Sequence, residues 1–347
     1  MVVFEPEPSL LMNAFVNQRL AGQQVLLRPW RLPARSLRFA PQRLRRFVGQ
    51  RCQPKGNGIF GYPAVELAAR AWAGTKTDRT LHARFVLRRL LGEWAARQSC
   101  LANADTIVAP SCAARAVFAA APKAKKILLL DMPGLRTLHE DLDSAAALNA
   151  SSAYLHRYRA PDWVLVNQEV EWHLADEIHV RGRFVRDLLM ARGVPAQKIH
   201  FVPERSESPV GRKARAEGAP VRVLLAGLAS ARHGTHELLS ALQDRPWLEI
   251  FARSGEGCEP AAFVSHPRVF AATKESLAEV DAVVVPSFCE TYLPELRLAK
   301  ASGIPVIATV RGAAHMPTSE LFAELTPTLE HSLPHALDKL RSSSLVR

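Results

Sequence analysis

Four stretches place a polar or charged residue just after a short apolar run, where a strand would end and a ligand would be met. Glu290 follows Ala282–Val285 by way of Pro286 and Ser287. A carboxylate at such a turn accepts hydrogen bonds from sugar hydroxyls, and the free amides that open the next helix hold phosphate. In Val223–Leu242 an apolar run reaches Gly227, passes a loop carrying Arg232 and His233, and becomes helical in pattern after Gly234. Backbone N–H groups and a helix N-terminus gathered at a strand end suit a diphosphate. Arg253 follows Leu248–Ala252 and can meet a phosphate or a base; Asp131 follows Lys126–Leu130. Three of the four also have a purely structural alternative. Glu290 can cap its helix, Asp131 can cap its loop, and Arg232 and His233 can be ordinary loop polarity.

To present those residues the chain must alternate strands and helices, and its pattern does. Val2–Phe4, Gln24–Leu27, Thr106–Ala109, Lys126–Leu130, Glu177–Val180 and Lys198–Val202 read as strands. Ser9–Leu20, Arg79–Cys100, Ala113–Ala120 and Phe184–Arg192 read as helices, and Trp163–Val166 fits either a strand or part of a helix reaching Leu174. The polar, Gly- and Pro-containing stretch Glu204–Pro220 has no apolar period and reads as a linker. After it the alternation restarts, with strands at Val221–Ala226, Leu248–Ala252, Val269–Ala271, Ala282–Val285 and Pro305–Thr309, and helices at His236–Leu242, Pro294–Ala301 and His335–Arg341. Short apolar runs between helices predict α/β domains with parallel sheets. Ligands of open α/β sheets bind at the carboxyl ends of the strands, so a cleft between two such halves is the expected site.

Composition excludes several classes. The 347 residues suffice for two domains, and 48% hydrophobic with 22% charged residues is a globular composition. The longest apolar runs are far too short to cross a bilayer. Glu5 and Glu7 stand where a signal peptide carries positive charge, so a cytosolic address is expected. The five cysteines are scattered without a CxxC pair, which argues against a disulfide framework and a zinc site. The net charge of +12 is concentrated early: Pro8–Val65 holds no Asp or Glu, but holds Arg28, Arg31, Arg35, Arg38, Arg43, Arg45, Arg46 and Arg51 among apolar residues. That run fits a solvated surface. It equally fits a patch for anionic lipid headgroups or a phosphate-bearing acceptor, where each basic residue adds about 1 kcal/mol. Nucleic acid also attracts such runs, but no helix-turn-helix, zinc-finger or RNP motif accompanies this one.

Three segments resemble the glycosyltransferases of family 4. In Leu174–Pro203 the matching residues are Ala175, Asp176, Phe184, Val185, Gly193, Val194, Ile199 and Pro203. In Val223–Leu242 the two glycines match, with Leu228 and His233 where the family carries Arg and Lys, and Arg232 beside the latter. The longest match is Val280–Thr309: Asp281, Pro286, Ser287, Glu290, Ser302, Gly303 and Pro305–Thr309. Here Leu298 occupies the position of the family's second Glu, which holds the donor ribose.

The resemblance implies a GT-B fold: two Rossmann-like domains facing a cleft, residues 1–205 on the acceptor side and 206–347 binding the sugar nucleotide. It implies retaining transfer from a nucleoside-diphosphate sugar to a glycan or lipid-linked acceptor in cell-surface polysaccharide or glycoconjugate synthesis, without metal or cofactor. Glu290 then orients the sugar and Asp131 the acceptor. Arg232 and His233 meet the diphosphate, and Gly227, Arg253 and Ser287 complete the donor site. Taken with the basic run, this reading makes Arg31, Arg35, Arg38, Arg45 and Arg46 the expected acceptor or membrane patch of a cytoplasmic protein, peripheral to the inner membrane face where that patch meets lipid. The losses at Leu228, His233 and Leu298 motivate an alternative, a catalytically silent relative acting as a binding or scaffold subunit.

Overall fold

The computed structural model describes residues 1–4, 25–28, 58–60, 77–130, 134–149, 152–202, 208–211, 218–253, 260–273, 275–289, 293–314 and 316–343. By its contacts the chain forms two units, residues 1–135 with 160–204, and residues 136–159 with 205–347. The polar linker is therefore not a single cut in the chain. Residues 136–159 precede it and pack in the second unit, where buried Asn149 donates to Pro327 O at 2.9 Å and accepts from Leu329 N at 3.2 Å.

The first unit is built on β1 (Val2–Phe4), β2 (Val25–Arg28), β3 (Gly58–Phe60), β4 (Thr106–Pro110), β5 (Lys125–Leu129), β6 (Glu177–Val180) and β7 (Ile199–Phe201). They form one sheet in the order β3-β2-β1-β4-β5-β6-β7 with parallel pairing throughout. The second unit holds β8 (Val221–Leu228), β9 (Leu248–Arg253), β10 (Val269–Ala271), β11 (Ala282–Val285), β12 (Val306–Thr309) and β13 (Ala323–Leu325), again parallel, in the order β10-β9-β8-β11-β12-β13. Every residue of β11 and β12 is buried, as in strands covered on both faces.

Both units use the same device to fix register. Asp176, just before β6, accepts Lys126 N at 2.7 Å and returns its own N–H to Lys126 O. Asp281, just before β11, does the same with Arg222 at 2.8 Å and is buried. The two family-matching aspartates are thus sheet fasteners.

Of the two readings of Trp163–Val166 the helical one holds: it belongs to the helix Asp162–Leu174, whose inward residues include Val164, Leu165, Gln168 and Glu171. Other expectations shift. The last helix runs from Leu329 to Ser342, not from His335. Pro334 inside it reads as a start because it removes an N–H, but Leu329 and Leu333 upstream are fully buried and carry the helix across that defect. The helix Leu135–Leu148 and strands β3 and β13 had no expected counterpart. The expected helix Ser9–Leu20 lies outside the described residues.

Candidate functional site

In the second unit, β8, β9 and β10 build the sheet in one direction, and β11, β12 and β13 build it in the other. The strand order reverses between the neighbours β8 and β11, and at such a switch point the loops diverge and leave a crevice at the carboxyl ends. The end of β8 holds Gly227, and the loops leaving these two strands carry Arg232, His233, Gly234, Pro286 and Ser287.

The loop after β8 is tightly determined. The pairing of β8 with β9 shifts register between Leu224 and Leu228, a bulge in which Gly227 takes φ +87. A Cβ at Gly227 would stand 3.0 Å from Leu293 Cδ2 and 3.3 Å from His233 Cε1. The 3-10 turn Ala231–His233 follows, and then Gly234 at φ +70 opens the helix Thr235–Gln243. A Cβ on Gly234 would stand 2.5 Å from Pro286 O. Phe288 N donates to Arg232 O at 3.0 Å, and Ser287 Oγ donates to Cys289 O at 2.8 Å. Thr309, at the end of β12, donates to Ser287 O and accepts from Gly312 N at 2.8 Å. Three strand ends are therefore locked together.

Charge at this end is set by arginines. His233 is buried, and its Nδ1 donates to Leu228 O at 2.6 Å, with Ser230 Oγ 3.0 Å away. Burial first, then the charges of Arg232 and Arg253, push its pKa down to about 3. It is neutral near pH 7, so it supplies no charge to an anion. Arg253, half exposed at the end of β9, is ion-paired with Glu295 in the first turn of the helix Pro294–Ala301. Arg232 is half-buried, rests over the Tyr158 ring at 5.7 Å, and has no carboxylate partner among the described residues.

The first unit reverses its strand order in the same way, between β1 and β4. There the turn after β4 is clamped by the helix Asp162–Leu174. Glu171, 1% exposed, accepts from Cys112 N at 2.6 Å, Ala114 N at 2.8 Å and Arg115 N at 3.1 Å. It caps the helix Arg115–Ala120, whose own N-cap, Ala114, offers no side-chain bond. Gln168, one turn earlier, donates to Ser111 Oγ at 3.1 Å and accepts from Leu135 N at 2.7 Å. The clamp holds Cys112 at φ +66, a left-handed conformation that side chains disfavour. Burial raises the Glu171 pKa to about 7, against the pull of the three N–H bonds and Arg88.

No family model matches the chain, and no curated protein matches it in sequence. Solved structures do match in shape. A UDP-forming α,α-trehalose-phosphate synthase from Burkholderia xenovorans superposes with a TM-score of 0.59 at 12% identity, over 99% of this chain and 91% of that one. Anabaena HepE in complex with UDP and glucose gives 0.57 at 12% identity, over 99% and 90%. Sucrose-phosphate synthase from Thermosynechococcus elongatus gives 0.57 at 14% identity, over 99% and 89%. The fold is of the GT-B class.

Within the GT-B framework the expected donor residues divide. Gly227, Arg232, His233 and Ser287 meet at the β8–β11 switch point, and Arg253 stands on the adjoining strand. Ser287 and His233 are structural ties there, the first fully buried and the second uncharged. Leu228, the last residue of β8, is 36% exposed, and Leu298 packs against the core. Glu290, Asp131 and the patch Arg31, Arg35, Arg38, Arg45 and Arg46 lie outside the described residues. Glu171, Gln168 and Tyr158 were missed. A polar pair three apart on an inward helical face signals the first two, whereas nothing local marks Tyr158. Among the described residues no group of three or more His, Cys, Asp and Glu is arranged to hold a metal, and no helix is long and apolar enough to cross a membrane.

Proposed function

We propose that the chain is a glycosyltransferase that takes a nucleoside-diphosphate sugar at the β8–β11 switch point of its second unit. The observation that carries this reading is the pairing of a tightly held glycine loop with an arginine whose charge no described carboxylate cancels. Loop amides and the N-terminus of Thr235–Gln243 suit the diphosphate. Arg232, with Arg253 nearby, stabilises the charge that develops as the diphosphate leaves, in place of the Arg and Lys replaced by Leu228 and His233. Glu290 orients the sugar and Asp131 the acceptor hydroxyl, transfer proceeds with retention, and no metal is needed. HepE and the trehalose-phosphate synthase, which share the fold, are described with UDP and as UDP-forming. The acceptor is a glycan or lipid-linked chain in polysaccharide or glycoconjugate synthesis. The Arg-rich segment favours its presentation at an anionic membrane face on the cytoplasmic side.

Thermal unfolding of the full chain with a panel of UDP-, GDP- and ADP-sugars tests the reading. One donor should stabilise the protein, by about 2.7 kcal/mol at a hundredfold excess over its Kd. Donor hydrolysis or transfer should then follow and survive chelation by EDTA. Absence of stabilisation by every donor would sink the reading. The neutral His233 and the inward Leu298 favour a second possibility, a silent nucleotide-binding subunit. Binding without turnover, unaffected by Glu290→Gln, would select it.

A further inference from the structure

The second unit contains a segment that lies far away in sequence, residues 136–159. Its helix Ser152–Leu155 packs on the 3-10 turn Ala231–His233, and the turn His156–Tyr158 reaches that turn through Tyr158. Tyr158 is 8% exposed, and its ring lies 5.7 Å beneath the Arg232 guanidinium. Tyr154 stacks on His236, at the start of the following helix, with ring centroids 4.3 Å apart. The same Tyr154 ring carries Arg157 at 5.1 Å. Two tyrosines, four residues apart, thus grip the turn and the helix that follows it.

The kind of grip matters. A carboxylate would hold Arg232 firmly but would cancel its charge, as Glu295 does for Arg253. A ring face attracts the guanidinium through its quadrupole, leaves the net charge intact and leaves the N–H edge for another acceptor. Arg232 is further fixed through its backbone, whose carbonyl accepts from Phe288 N at 3.0 Å. The side chain would otherwise keep its rotamer freedom, and an anion would have to order it on binding.

We propose that Tyr158 is a positioning residue that pre-orients Arg232 toward a diphosphate without neutralising it. The inference rests on the donor reading above for its ligand, but the orientation of Arg232 is a property of the free protein. The experiment therefore has two readouts. The first is 15N relaxation at the Arg232 Nε–H in the ligand-free chain. Wild type and Tyr158→Phe, which keeps the ring, should show a rigid guanidinium, and Tyr158→Leu a mobile one. The second is calorimetric affinity for the tightest binder among UDP, GDP and ADP. Tyr158→Phe should match wild type, and Tyr158→Leu should bind about tenfold more weakly, equivalent to about 1.4 kcal/mol. In an Arg232→Ala background the Leu substitution should cost nothing further, because the two act as a unit.

A rigid Arg232 in Tyr158→Leu overturns the proposal, as does an equal affinity loss with and without Arg232. If Tyr158→Leu loosens Arg232 while wild type binds no nucleotide, the donor reading fails and the orientation by Tyr158 stands. Should Tyr158→Leu fail to fold, Tyr158→Trp, which keeps a larger ring face, must retain a rigid Arg232.

Discussion

Replacing Gly234 with alanine destabilises the second unit by about 3 kcal/mol, whereas the same change at Gly303 costs about 1 kcal/mol. Both glycines have positive φ, +70 and +64, so both substitutions incur the left-handed penalty of a residue with a Cβ. They differ in what the new methyl meets. At Gly303 nothing lies within 4 Å, and at Gly234 Pro286 O would be 2.5 Å away, with Pro286 Cβ at 2.8 Å. Neither neighbour is a flexible side-chain end, so the two strand-end loops must separate. That separation moves Arg232, which is hydrogen-bonded through its carbonyl to Phe288, and under the proposed function it should weaken nucleotide binding as well. Denaturant unfolding of the two variants alongside wild type measures the difference. Equal losses at both positions would show that the close approach of the loops carries no energy.

The second large effect concerns Glu171. In the folded chain its pKa is raised to about 7, with burial the largest cause, from an ordinary value of 4.5. The folded state therefore retains a proton that the unfolded chain releases between those values. The contribution of this group to stability is complete below pH 4.5 and is lost as pH rises through 7, a change on the order of 3 kcal/mol. Glu171→Gln cannot titrate, so its unfolding free energy should lack that component of the fall between pH 4.5 and 7.5. Identical pH slopes for the two proteins would refute the assignment. Glu171→Ala should be worse at every pH, by about 4 kcal/mol, since it strips the acceptor from Cys112, Ala114 and Arg115 N–H in a buried place.

Much of the fold was legible because its signals are local. Short β-branched runs such as Ala282–Val285 can hardly be anything but covered strands, and Glu204–Pro220 breaks the pattern. Element ends were less legible. Pro334 hid the first turn of the final helix, because the burial of Leu329 and Leu333 that overrides it depends on distant partners. The candidate site was half legible. Glycines followed by a helical pattern mark a tight strand-to-helix turn without any knowledge of neighbours. Whether a polar residue in that turn carries charge is a different matter. His233 and Arg232 are adjacent in sequence, yet one is buried and neutral and the other keeps its charge over a ring.

By itself the sequence determined the alternation of strands and helices, the position of the glycine turn and the Pro286–Ser287 turn, and hence the ends of the strands where a ligand belongs. These follow from side-chain periodicity and backbone freedom, which act over a few residues. The tertiary structure alone decided that Ser287 and His233 serve as ties, that Glu171 closes the β4 turn from a helix far along the chain, and that residues 136–159 bring Tyr158 to Arg232. Those outcomes depend on burial and on which charges and rings come together, and only the folded packing sets both.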